Sequence, residues 1–221
     1  MNVKLISVTR PASGFMSNEV GDEVMDAEAL ITYCARVSNP KNQMNMKTAP
    51  KLIKFLIKHK HWSPFELANM CVEIKTSRAI AAQILRHRSF SFQEFSQRYS
   101  EADEIESIEL REPAEKNRQS SSKPFDKRNE LYTLANKSME NSMKAYNELI
   151  KAGVAKECAR AVLPLGTQTT MYMNGTVRSW IHYINLRTEE NTQKEHRDIA
   201  NSIKSIFVEI FPNTSEALEW K

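Results

Sequence analysis

Apolar positions set most of the layout of the chain. Val3, Leu5 and Val8 alternate with polar residues, the period of a half-buried strand, and predict one over 2–10. The polar, Gly/Ser-containing stretch 11–22 predicts a loop. Behind Asp26, a good N-cap residue, Ala27, Leu30, Ile31 and Cys34 recur at helical spacing, so a helix is expected over 26–37. A loop rich in Asn, Pro and Lys follows at 38–47. Thr48 and Pro50 mark a second helix start, with Leu52, Ile53, Phe55, Leu56 and Ile57 as its apolar face and basic residues at 58–61 as its end. Pro64 forces an extended or turning backbone. Met70, Val72 and Ile74 then alternate as a strand over 69–76, and Ala79, Ile80, Ala81, Ala82, Ile84 and Leu85 crowd 77–85 into a buried helix.

The second half is more helical. Residues 101–123 are charged and poor in apolar side chains, which predicts a mobile surface excursion, with Ile105, Ile108 and Leu110 as a short strand and 120–124 as a linker. From 125 to 152, Leu131, Leu134, Ala135, Met139, Met143, Tyr146, Leu149 and Ile150 recur every three or four residues. Such a stripe ordinarily faces a core. Gly153 caps that helix, and a shorter helical piece runs over 154–162 to Pro164. The Thr- and Met-rich stretch 166–174 fits strand or helix. Val177, Trp180, Ile181 and Ile184 make a helix of 176–187, and Ile199, Ile203, Ile206, Phe207 and Ile210 make an amphipathic one of 192–211 that Pro212 stops before a short turn at 215–220. The sum is an α+β single domain over 1–221, with a small mixed or antiparallel sheet flanked by long helices.

Composition narrows the partners. The chain has 221 residues, enough for one domain with a proper core, and a formal charge of +4, which permits anionic ligands without the dense basic blocks of a nucleic-acid arm. Its 3 cysteines are odd in number and widely spaced, so neither a disulfide framework nor a zinc site is expected, and a reducing, cytoplasmic setting is the default. No apolar run approaches a membrane span, and no signal-peptide pattern opens the chain. The 5 glycines form neither a GxGxxG nor a P-loop. His59 and His61 lack a third and fourth ligand nearby in sequence, so no metal site is expected.

The chemistry concentrates in 83–100. Arg86, His87, Arg88, Glu94 and Arg98 lie close together with Phe90, Phe92, Phe95 and Tyr99 among them. Guanidinium groups bind phosphate through paired hydrogen bonds and stack on flat rings, so the cluster suits a flat, anionic ligand. On the residues alone three readings stand: a ligand site, a solvated basic helix end, or a stacking platform for single-stranded nucleic acid. Arg160, embedded in apolar sequence before Val162-Leu163-Pro164-Leu165, needs a partner if it is buried.

The pattern Arg86-His87-Arg88, seven residues, then Ser96 resembles the signature of the flavin-dependent thymidylate synthases, which methylate dUMP using FAD, methylenetetrahydrofolate and NADPH. Similar elements occur at His61 to Glu66, Arg160 to Leu165 and Arg178 to Arg187; Leu67 departs from the histidine usual in the family, and Thr176 from a frequent asparagine. The resemblance implies dUMP contacts from Gln83, Arg86, Glu94, Phe95, Ser96, Gln97, Arg98, Arg160 and Arg187. It implies FAD contacts from Ser63, Arg86, His87, Arg88, Glu94, Thr176, Arg178 and His182, with His61 near the flavin or folate. Arg187 is the implied catalytic residue, beside the pyrimidine N3. No cysteine stands in these motifs, in keeping with the family's use of flavin. A homotetramer with sites shared between subunits is implied as well, with no nucleic acid and no membrane as partners.

Overall fold

In the computed structural model, residues 1–12, 15, 26–125 and 128–220 are described. The loop expected at 11–22 therefore lies largely outside the described residues, as do two residues near the start of the helix expected at 125–152. The scaffold is a four-stranded antiparallel sheet in the order β1 (Asn2–Val8), β2 (Asn69–Ser77), β6 (Gln168–Thr176), β3 (Phe90–Glu94). Strict alternation decides which face is buried. Met70, Val72, Ile74 and Thr76 of β2, and Thr169, Met171, Met173 and Gly175 of β6, all point into the core.

One hydrophobic core lies under that face. It joins Ile31 of α1 (Ala27–Ala35), Ile53 and Leu56 of α2 (Ala49–Lys58), and Ile80 and Ile84 of α3 (Arg78–Ile84). It continues through Trp180 and Ile184 of α6 (Val177–Arg187), Ile203 and Phe207 of α7 (Lys194–Ile210), and Phe211. Asp26 caps α1 as its sequence foretells, Oδ1 accepting from Ala29 N at 2.8 Å. Gly175 is needed for close packing: a Cβ there would lie 2.4 Å from the Phe90 ring. The indole Nε1 of Trp180 donates to the Met70 carbonyl at 2.9 Å, pinning α6 to β2 inside the core.

Pro212 both ends α7 and opens α8 (Pro212–Ala217), so the expected final turn is a helix. The buried carboxylate of Glu28 accepts from Asn213 N, Asn213 Nδ2, Thr214 N and Thr214 Oγ1. A carboxylate at a helix start satisfies free amides and complements the dipole, which ties α1 to α8.

Several expectations change. Most of the stretch 166–174, which fits strand or helix by sequence, belongs to central strand β6, and 90–94 forms edge strand β3 within the arginine-rich segment. In the 101–123 stretch, Ile105 makes a single bridge to Thr167, while the strand pair is β4 (Arg111–Pro113) with β5 (Ser121–Pro124). The long helix α4 (Arg128–Lys151) does not bury its whole stripe: Tyr146 is fully buried against Ala102 and Ala159, but Leu131 is 40% and Leu134 66% exposed. The short piece that follows is α5 (Lys156–Ala159) and a 3-10 turn at Arg160–Val162.

Candidate active site at the meeting of two helix ends

Two strand-to-helix units build the site. β2 passes directly into α3, capped by Ser77, and β6 passes directly into α6, capped by Thr176. The strands are antiparallel neighbours in unbroken register from Asn69↔Thr176 to Ser77↔Gln168, so the helices start at opposite ends of the pair. A nine-residue strand is about 27 Å long. Helices of 7 and 11 residues span about 10 and 16 Å and return across the same core. Their C-terminal ends therefore meet, which is why residues 100 apart in sequence touch: Arg187 Nε donates to His87 Nε2 at 2.8 Å.

That bond defines the local electrostatics. An arginine cannot accept, so His87 Nε2 is bare and its proton sits on Nδ1. Burial, then the charges of Arg187 and His182, hold His87 down at about 4. His87 is thus neutral at pH 7 and does not oppose the Arg187 charge. Behind it, the Tyr183 ring packs edge-on at 4.9 Å. Tyr183 is fully buried and shares a 3.1 Å hydrogen bond with Nε2 of the equally buried His196. Burial pushes the Tyr183 hydroxyl well above the usual range, outweighing the opposite pull of Arg187, so Tyr183 remains a proton donor.

Beside this pair opens a cavity of about 570 Å³ lined by Trp62, Glu66, Ser89, Arg178, Ser179, Ile181, His182 and Asn185. Its size suits a small-molecule or cofactor site. Of the residues expected at FAD, Arg178 and His182 line it, and Arg178 pairs with Glu66. Ser63 is exposed on the 3-10 turn Ser63–Glu66. Thr176 spends its hydroxyl on the cap of α6, accepting from Ser179 N, a task asparagine also performs. His61 is exposed, its ring 5.9 Å from that of Phe55 and 6.1 Å from that of His59. Among the described residues no three His, Cys, Asp or Glu side chains converge as a metal site. A flavin nucleotide needs donors for its phosphates and flat apolar walls for its rings. Arg178, His182, Asn185 and Trp62 supply that set, so the cavity fits the group.

The residues expected at dUMP divide into groups. Gln83, Arg86 and Arg187 gather at the helix ends, with Arg86 and Arg88 exposed. Glu94 is half-buried and accepts from Arg78 Nη1 at 2.6 Å and from Thr169 Oγ1 at 3.0 Å. Ser96 and Arg98 line a separate hollow of about 360 Å³ with Tyr99, Lys156 and Glu157. Gln97 is buried, its Nε2 without a hydrogen-bond partner among the described residues, and Phe95 is 36% exposed. Arg160 overturns the burial argument: it is exposed on its 3-10 turn. Of the aromatic platform, Phe90 is buried under α6 against Trp180 at 4.6 Å, while Tyr99 is 84% exposed.

Sequence reasoning missed Arg78, Tyr183 and His196, and saw Glu66 only as part of a motif. Tyr183 and His196 carry no local signal, because a buried polar pair is created by two helices packing. Arg78 had one: it directly follows Ser77, the cap of α3, and cations are rare in a first turn unless they hold a partner.

Two strand-to-helix units thus bring a guanidinium against a neutral imidazole, and a cofactor-sized cavity opens along α6. Residues 19–213 match the family described as thymidylate synthase complementing protein. Over the full length of both chains, the sequence is 53% identical to a probable flavin-dependent thymidylate synthase of Paramecium bursaria Chlorella virus 1 and 50% identical to the flavin-dependent thymidylate synthase of a Synechocystis strain. The chain belongs to the flavin-dependent thymidylate synthase family. Its fold aligns with the crystal structure of a UMP/dUMP methylase from Streptomyces cacaoi bound with 5-Br dUMP, at a TM-score of 0.79 and 23% identity over 99% of this chain and 94% of that one.

Proposed function

We propose that this chain carries out the reductive methylation of dUMP to dTMP, with FAD as cofactor, methylenetetrahydrofolate as carbon donor and NADPH as reductant. The observation that carries the reading is the Arg187–His87 pair beside the cavity of Arg178 and His182. Bound flavin would supply the electrons that reduce the transferred carbon. With Nε committed to His87, Arg187 keeps its Nη edge for the pyrimidine. A fixed guanidinium there stabilises negative charge on the ring as it becomes nucleophilic, and its pKa, above ~12, excludes it as a proton carrier. Arg86, Arg98 and Arg160 hold the phosphate, with Ser96 as a hydroxyl donor. Phe95 and Gln97 complete the nucleotide contacts, and Ser63, Arg88, Glu94 and Thr176 those of FAD.

The separation of the dUMP residues, with Gln83, Arg86 and Arg187 at the helix ends and Ser96 and Arg98 in a hollow elsewhere, supports a site completed by a second chain, and the exposed apolar side chains of α4 support a homotetramer. A monomer with full activity by light scattering would refute the shared site. In this reading 1–221 is one cytoplasmic catalytic domain, and 101–123 moves over the site.

The test is an absorbance spectrum of the purified protein, then anaerobic NADPH with and without dUMP. Flavin bands that bleach faster with dUMP are expected. Protein that takes up no FAD on reconstitution would overturn the reading.

A further inference from the structure

Five polar links run in series from the core of α6 to the β4–β5 ribbon. Tyr183 Oη lies 3.1 Å from His196 Nε2, and His196 Nδ1 lies 3.3 Å from Gln83 Oε1. Gln83 Nε2 lies 2.7 Å from Gln193 Oε1, and Gln193 Nε2 lies 2.9 Å from Glu195 Oε2. Arg111 Nη2 closes the series at 2.7 Å from Glu195 Oε1.

The last link dictates the direction of all the others. A carboxylate paired with a guanidinium is ionised and only accepts. Burial alone would raise Glu195, but its backbone amide, Gln193 and Arg111 outweigh this and hold it below the usual range. Gln193 must therefore turn its NH2 toward Glu195, which leaves its Oε1 facing Gln83. Gln83 must then offer its NH2 to Gln193 and its Oε1 to His196. His196 must carry its proton on Nδ1 and leave Nε2 bare for the Tyr183 hydroxyl. Reversing either amide would set two acceptors face to face, at the Gln83–Gln193 or the Gln193–Glu195 link. Burial, then Arg187 and His87, keep His196 neutral, down at about 3.

We propose that Glu195, pinned by Arg111, fixes the direction of this chain and so makes Gln83 a one-way hydrogen-bond donor that selects a 4-oxo pyrimidine over a 4-amino one. The proposal rests on the reading of Gln83 as a dUMP contact. One N–H of Gln83 is held by Gln193, which leaves the other for a ligand. The uracil 4-carbonyl accepts such a bond. The cytosine 4-amino group is itself a donor, and meeting Gln83 would set two donors face to face. Gln193, Glu195 and His196 act through Gln83 and are positioning residues.

The experiment has two arms on the flavin-loaded, full-length protein. Histidine 15N shifts near pH 7 read the tautomer of His196, assigned by His196→Asn, which keeps a donor at the Nδ1 position. The Nδ1–H form is expected; an Nε2–H form overturns the proposal. Binding of dUMP and of dCMP is measured by calorimetry for wild type, Glu195→Gln, His196→Asn and His196→Leu. Glu195→Gln frees the chain to reverse, so the dUMP-to-dCMP affinity ratio should fall about tenfold or more. His196→Asn should hold the ratio, and His196→Leu should lose it. An unchanged ratio in Glu195→Gln overturns the proposal, and this variant stands even if His196→Leu does not fold. If wild type binds neither FAD nor dUMP while His196 remains Nδ1–H, the fault lies in the reading of the site, and the selectivity claim falls with it.

Discussion

The helix-end pair and the Ser96–Arg98 edge carry similar residue types in opposite environments. Arg187 meets His87 where α3 and α6 converge, backed by the buried rings of Tyr183 and His196. Arg98 reaches Glu157 at 3.1 Å, but their side chains are 65% and 55% exposed. An exposed pair of that kind contributes about 0–1 kcal/mol and does not hold a geometry. A hydrogen bond set against a core does. One set of candidate residues is thus organised within the single chain, and the other lies on an exposed surface.

The sharpest way to break the contrast is to remove its rigid side. Arg187→Ala should lower turnover about 10³-fold while dUMP affinity falls far less, because the lost charge acts on the reacting ring. Single-turnover kinetics beside calorimetry separates the two, and equal losses would make Arg187 a binding residue only. On the open side, Arg98→Ala or Arg160→Ala should raise KM for dUMP about 10- to 100-fold with little change in kcat, the behaviour of a phosphate contact. A pure kcat loss would contradict that role.

The scaffold behind the rigid half has its own test. In Gly175→Ala the new Cβ meets the Phe90 ring at 2.4 Å, and overpacking should cost about 1–3 kcal/mol in urea melts. Acid should also act there first. Between the ordinary histidine value of 6.5 and about 4, the unfolded chain takes up a proton that His87 in the folded chain refuses. His196 extends the same effect to about 3. Stability should therefore decline as pH falls through that window, read as a falling urea midpoint. The least effect belongs to Glu157→Gln on the exposed edge, within about 0.5 kcal/mol of wild type.

The fold was readable where a residue's neighbours in sequence are also its neighbours in space. Alternation placed Met70, Val72 and Ile74 on one face of β2, and Asp26 sits where a cap is needed. β3 escaped because Phe90 to Glu94 is short and enclosed by charged motifs that resemble a helix end. Leu131 and Leu134 show the limit of periodicity: it tells which side chains share a face, not what covers that face. Arg160 shows the same for burial, since apolar neighbours in sequence did not bury it.

By itself, then, the sequence determined most of the elements, the spacing of the arginine-rich motif and the family they resemble, because these depend on local order. The tertiary structure decided that residues 100 apart, His87 and Arg187, form one pair. It also decided that His196 sits behind Gln83, which no motif predicted. The reason is physical. The direction of a hydrogen bond depends on which group at the end of the series can only accept, and that is settled by which helix and ribbon come into contact.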